Sequence, residues 1–121
     1  MSNIESSMNE LMSIDGFMAA SIVDCSSGMM LGEIGNGVIN LEVAAAGNTE
    51  VVRSKRKVMD KLNLKDDIED ILITLGKQYH LIRPVTQEGL DLFIYLVLDR
   101  EKSNLALARV KLSQIERKVE I

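Results

Sequence analysis

Apolar residues at Ile4, Met8, Leu11 and Met12 fall at i, i+4, i+7 and i+8, one face of a helix that Asp15-Gly16 ends. The next run, Phe17-Met18-Ala19-Ala20-Ser21-Ile22-Val23, is apolar on both alternating sets, as a strand covered on both faces must be. Asp24-Cys25-Ser26-Ser27-Gly28 has turn composition, and Met29 to Ile34 returns as the second strand of a hairpin. Gly35-Asn36-Gly37 breaks the pattern before a long helix that starts near Asn40, its expected cap, and runs to about Leu62. Ala44-Ala45-Ala46-Gly47 opens that helix with small residues, which permit close approach by another element.

Ile68 to Leu75 begins with alternating acidic and apolar residues and becomes fully apolar, the pattern of a third strand, with Gly76-Lys77 as a tight hairpin turn. Tyr79 to Val85 is a fourth strand with Pro84 near its end, where a missing N–H does least harm, and Thr86-Gln87-Glu88-Gly89 is a turn. Leu92-Phe93-Ile94-Tyr95-Leu96-Val97-Leu98 is a continuous apolar run suited to the middle of a sheet. Leu105, Ala108, Leu112, Ile115 and Val119 then mark one face of a last helix, capped by Ser103 or Asn104. The order is αββαβββα. Hairpin links predict a mostly antiparallel sheet of five strands, and two-sided apolar strands require helices on both faces, an α/β/α sandwich.

The 121 residues are enough for one domain that buries roughly 65% of its unfolded surface, with no room for a second core. Two Phe, two Tyr and no Trp leave the core to aliphatic residues and provide little for stacking on bases, and a net charge of −4 disfavours nucleic acid. One cysteine excludes an internal disulfide. Without a secretory leader or an 18-residue apolar span, the expectation is a soluble cytoplasmic protein with no transmembrane segment.

Catalytic chemistry is poorly represented. His80, the lone histidine, lies in a predicted strand with no ligand set around it, so a structural role is expected and no metal site. Cys25 has no second cysteine and sits beside a buried strand, as a small packed residue does. Gly32-Glu33-Ile34-Gly35-Asn36-Gly37 lacks both the phosphate-loop and the dinucleotide patterns, so no cofactor is expected. Asp66, Asp67, Glu69 and Asp70 cluster at the third strand, where acids protect a sheet edge or mark a chosen interface.

What stands out is Arg53-Ser54-Lys55-Arg56-Lys57, a basic run inside the middle helix of an acidic chain. At about 100° per residue, Leu41, Ala44, Ala45, Asn48, Val51, Val52, Val58, Met59 and Leu62 gather on one side. Arg53 and Lys57 lie opposite, Arg56 flanks the stripe, and Lys55 falls inside it, where a monomer core does not tolerate a lysine without a partner or a route to water. The run is either a solvated helix face or a docking face for an acidic macromolecular surface.

Two stretches, IDGFMAASIVDCSSG (Ile14 to Gly28) and YLVLDREKSNLALAR (Tyr95 to Arg109), resemble the first strand with its Asp-to-Gly hairpin (Asp24 to Gly28 here), and the last strand, Asp-Arg step and helix start, of the roadblock/dynein light-chain family. The element order is similar over essentially the whole chain, residues 1–121, as a single roadblock-like domain. The resemblance implies dimers in which third strands and middle helices of two subunits meet, and, for bacterial MglB-like members, binding to small Ras-like GTPases. Carried onto this chain, it puts Ile68, Asp70, Leu72 and Thr74 on the dimer-forming strand and Ala44, Ala45, Asn48, Val52 and Lys55 between the paired helices. Arg53, Arg56 and Lys57 then lie near that face, as GTPase-docking residues, although the family has no fixed basic motif there. The implied function is a homodimeric, non-catalytic regulator or scaffold that biases a GTPase's switch state, with any GAP-like effect not dependent on one donated arginine. A dimeric adaptor for cytoskeletal, motor or signalling proteins is the alternative, and a small-ligand sensor a further one.

Overall fold

The computed structural model describes residues 2–35 and 37–121, so Asn36 of the expected break lies outside the described residues. The elements are α1 (Ile4–Met12), β1 (Phe17–Asp24), β2 (Met29–Gly35), α2 (Leu41–Lys61), β3 (Ile71–Thr74), β4 (Gln78–Pro84), β5 (Leu92–Asp99) and α3 (Leu105–Lys118). They form a five-stranded sheet in the order β2-β1-β5-β4-β3 with every neighbouring pair antiparallel. β5 sits at the centre, which is why Leu92 to Leu98 is buried without a break. Its even-numbered residues join α1 and α3 in one core with Met8, Leu11, Ile22, Leu81 and Leu112. Its odd-numbered residues Phe93, Tyr95 and Val97 face the other way, with Val23, Ala45, Val52 and Ile82. The α/β/α sandwich follows from that two-sided strand, each fully buried large aliphatic side chain contributing about 1.5–3 kcal/mol.

Local chemistry sets the ends of the helices. Asn40 caps α2, its Oδ1 accepting from Val43 N–H at 3.1 Å, and Asn104 rather than Ser103 caps α3, accepting from Leu107 N–H at 3.0 Å. Asn40→Ala is expected to lower stability by about 1 kcal/mol; chemical denaturation reads this directly, and an unchanged midpoint would show that the cap contributes nothing. Gly16, between α1 and β1, has φ +83, and a Cβ there would lie 2.9 Å from the Ser103 Cβ, so the α1–β1 turn and the β5–α3 loop meet only over a glycine.

β3 is shorter than the alternating pattern predicts. Ile68 and Asp70, expected on the strand, precede it. Two causes act together. The register pairs Ile71 with Ile82, so extending the ladder back to Glu69 would set it against Pro84, which has no N–H to donate. Asp70 is also drawn to the α1/α3 side by Arg109, whose Nε and Nη2 each donate to its carboxylate at 3.1 Å. No helix is long and apolar enough to cross a membrane among the described residues.

Candidate interaction surface

The apolar stripe of α2 divides into two lines. Leu41, Ala45, Thr49 and Val52 turn onto the sheet and are buried, so Ala45 (1% exposed) and Val52 (0%) are covered within the protomer and cannot meet a second copy, contrary to the sequence expectation. Val52→Asp would therefore unfold the chain rather than separate subunits. The other line, Ala44, Asn48, Val51, Lys55, Val58 and Leu62, has steps of 4, 3, 4, 3 and 4 residues, the spacing of a helix seam. It runs along the flank of α2, roughly a quarter turn from the buried line. Val58 is 45% exposed and Leu62 62%.

That flank opens toward β3. α2 lies mainly over β1 and β2 and reaches Ile82 of β4, which leaves Gln78 and His80 of β4 and Ile73 of β3 outside its cover on the same sheet face. Lys55 and Met59 of α2 face Ile71 across a groove of about 430 Å³ whose rim carries Asp66, Asp67 and Glu69. Lys55 thus reaches water over the groove, which resolves its place within an apolar pattern. β3 pairs only with β4 and presents its other edge unpaired. Ile73 and Leu75, at that edge, are exposed, whereas Leu72 packs into the α1/α3 core and Thr74 is solvent-facing.

The basic run also divides. Arg53 Nη2 donates to the carbonyls of Cys25 and Ser26, each at 2.7 Å, tying α2 to the β1–β2 turn. Arg56 Nη1 pairs with Asp91 at 3.0 Å, tying it to the β4–β5 loop. Lys55 and Lys57 are exposed, and neither forms an ion pair among the described residues. Two of the expected docking residues are therefore partly engaged in holding α2 on its own sheet, and Lys57 is left facing solvent.

One arrangement on this face escaped the sequence analysis. The Tyr95 hydroxyl lies 3.0 Å from His80 Nδ1, and His80 Nε2 lies 2.8 Å from Gln78 Oε1. Because an amide oxygen only accepts, the ring proton sits on Nε2, and Nδ1 takes the tyrosine hydrogen. The two rings meet edge to face at 5.6 Å. Burial pushes the His80 pKa below its ordinary value and raises that of Tyr95, which the Asn48 side chain partly offsets. The signal was present: Gln78 and His80 are two residues apart in a strand and so share a face.

Solved structures with this architecture include a Roadblock/LC7 domain from Streptomyces avermitilis, at TM-score 0.81 and 14% identity over 96% of this chain and 93% of that one. MglB of Myxococcus xanthus superposes at TM-score 0.81 with 14% identity, covering 93% and 88%. An MglB with a tetrameric arrangement gives 0.80 and 13%, covering 94% and 82%. At these identities the likeness is one of fold. No protein-family model and no curated protein matches the sequence.

Proposed function

The chain has the roadblock fold, and we propose that residues 1–121 act as a single roadblock-like domain: a homodimeric, non-catalytic, cytoplasmic regulator that binds a small Ras-like GTPase and biases its switch state. The observation that carries the dimer is the juxtaposition of an unpaired β3 edge with a second, exposed apolar seam on α2. An antiparallel pair of α2 helices about a two-fold axis near Arg53 sets Ala44 against Leu62, Asn48 against Val58 and Val51 against Lys55. The small residue meets the large one, and Asn48 and Lys55 each lie against a valine of the partner. β3 then pairs with its copy and both edges lose their unsatisfied N–H and C=O groups. The seam replaces Ala45 and Val52 with Val51, Val58 and Leu62, keeps Ala44, Asn48 and Lys55, and leaves Asp70 to its Arg109 partner.

The GTPase partner is supported by the sequence resemblance and by the fold shared with MglB. A regulator of this kind acts by preferring one switch-loop state over the other, since binding shifts an equilibrium only through differential affinity. Arg53 and Arg56 are engaged with Cys25, Ser26 and Asp91, so neither is poised as a donated arginine. Any stimulation of hydrolysis is expected to survive Arg53→Ala and Arg56→Ala; a loss of about 10³-fold or more with binding intact would assign an arginine finger.

Light scattering on the purified chain at micromolar concentration tests the dimer. The expected mass is twice the 13.4 kDa of the chain. A 13.4 kDa species at all concentrations would remove the dimer and the docking face that depends on it.

A further inference from the structure

We propose that assembly through the β3–α2 face is gated by acidity, with His80 as the group that reads it. The inference rests on the dimer reading and adds regulation to it. His80 is the register partner of Ile73. The parity that puts Ile82 in the core beneath α2 puts His80 and Ile73 on that same face, in the part of it that α2 leaves open. A second copy seated on β3 and the α2 seam covers that part.

Both ring nitrogens are already committed, Nδ1 as acceptor from Tyr95 and Nε2 as donor to Gln78. A proton added at Nδ1 displaces the Tyr95 hydrogen from its acceptor, and Tyr95 is buried, so the hydroxyl must find another. In the separated chain, water over the open part of the sheet can solvate the imidazolium. In the dimer that water is gone, and the charge is left between apolar surfaces. The other titratable and charged groups on this face are Tyr95 and Asp99 on β5, Lys55 on the flank of α2, and Asp66, Asp67 and Glu69 on the groove rim before β3; β3 itself contributes only Ile71 and Ile73, and Gln78 and Asn48 are neutral. No carboxylate is hydrogen-bonded to the ring to stabilise its cation among the described residues.

The dimer therefore binds fewer protons than the separated chains. Its affinity is unaffected at neutral pH and weakens as pH falls through the His80 pKa of the separated chain, which burial already holds below the ordinary histidine value. Because the chain has a single histidine, and carboxylates titrate near 4 and the α-amino group near 7.7–8, the window between pH 7 and 5.5 belongs to His80.

Sedimentation equilibrium at the two pH values is the test. The wild-type dissociation constant is expected to rise several-fold from pH 7 to pH 5.5, since each dimer carries two such rings. In His80→Gln, the ratio of the two constants should fall to near one. Tyr95→Phe, which removes the displaced hydroxyl, should shift the onset to higher pH. Should His80→Gln fail to fold, NMR titration of the ring in the wild-type dimer and in the Val58→Asp monomer replaces it, with the lower pKa expected in the dimer. Equal dimerisation at both pH values, or equal ring pKa values in dimer and monomer, overturns the gating and leaves the dimer reading standing. A wild-type chain monomeric at pH 7 as well overturns both.

Discussion

Glu116→Ala is expected to lower the melting temperature by on the order of 10–25 °C, the largest effect of any single polar substitution in this chain. Glu116 is fully buried. Its Oε1 accepts from Arg83 Nε at 3.0 Å, and its Oε2 accepts from both the backbone N–H and the hydroxyl of Thr86, at 3.2 and 3.0 Å. Arg83 in turn donates to Ser113 at 3.2 Å. One carboxylate from α3 thus holds the end of β4 and the loop after it. Removing it leaves a nearly buried guanidinium without its counter-charge, which costs about 3–5 kcal/mol. Replacing both partners by apolar residues, Arg83→Met with Glu116→Leu, removes the stranded charge and should recover most of that loss. Thermal unfolding followed by circular dichroism distinguishes the cases: a single mutant that melts within a few degrees of wild type would mean the pair is solvated in solution.

Val58→Asp is expected to separate the subunits while leaving the protomer folded. Val58 is half-exposed on the α2 flank, outside both cores, so a carboxylate there is hydrated in the free chain and its melting temperature should change little. Across the antiparallel seam it meets Asn48 of the partner, and the two-fold axis repeats the insertion, so two carboxylates are desolvated at once. The dimer constant should weaken by at least ~100-fold, about 2.7 kcal/mol. Sedimentation velocity and circular dichroism together decide it. A folded Val58→Asp chain that remains dimeric at micromolar concentration would exclude the α2 seam as the interface.

Where structure is set by neighbours in sequence, the sequence was legible. The Asn40 cap, the hairpins and the unbroken apolar run of β5 follow from local hydrogen bonding and from burial on two faces, and the element order came out as read. The α2 surface was not, because it carries two apolar lines about a quarter turn apart and helical periodicity alone does not choose between them. The choice is tertiary: Arg53 and Arg56 reach the Cys25–Ser26 carbonyls and Asp91, and so roll Ala45 and Val52 onto the sheet. The start of β3 was misplaced for a similar reason. Pro84 opposes Glu69 only once the register is known, and Asp70 belongs to Arg109, distant in sequence. The Tyr95–His80–Gln78 chain was hidden because two of its members share a strand face while the third comes from the next strand.

The central claim, that the dimer biases a GTPase, is most directly tested by titrating the chain calorimetrically with a Ras-like GTPase of the same cell, loaded once with GDP and once with a non-hydrolysable GTP analogue. Saturable binding at least ~10-fold tighter to one form, a difference of about 1.4 kcal/mol, is the predicted result. Binding to neither form, or equal affinity for both, would contradict it, since a partner that does not distinguish the two states cannot shift the switch.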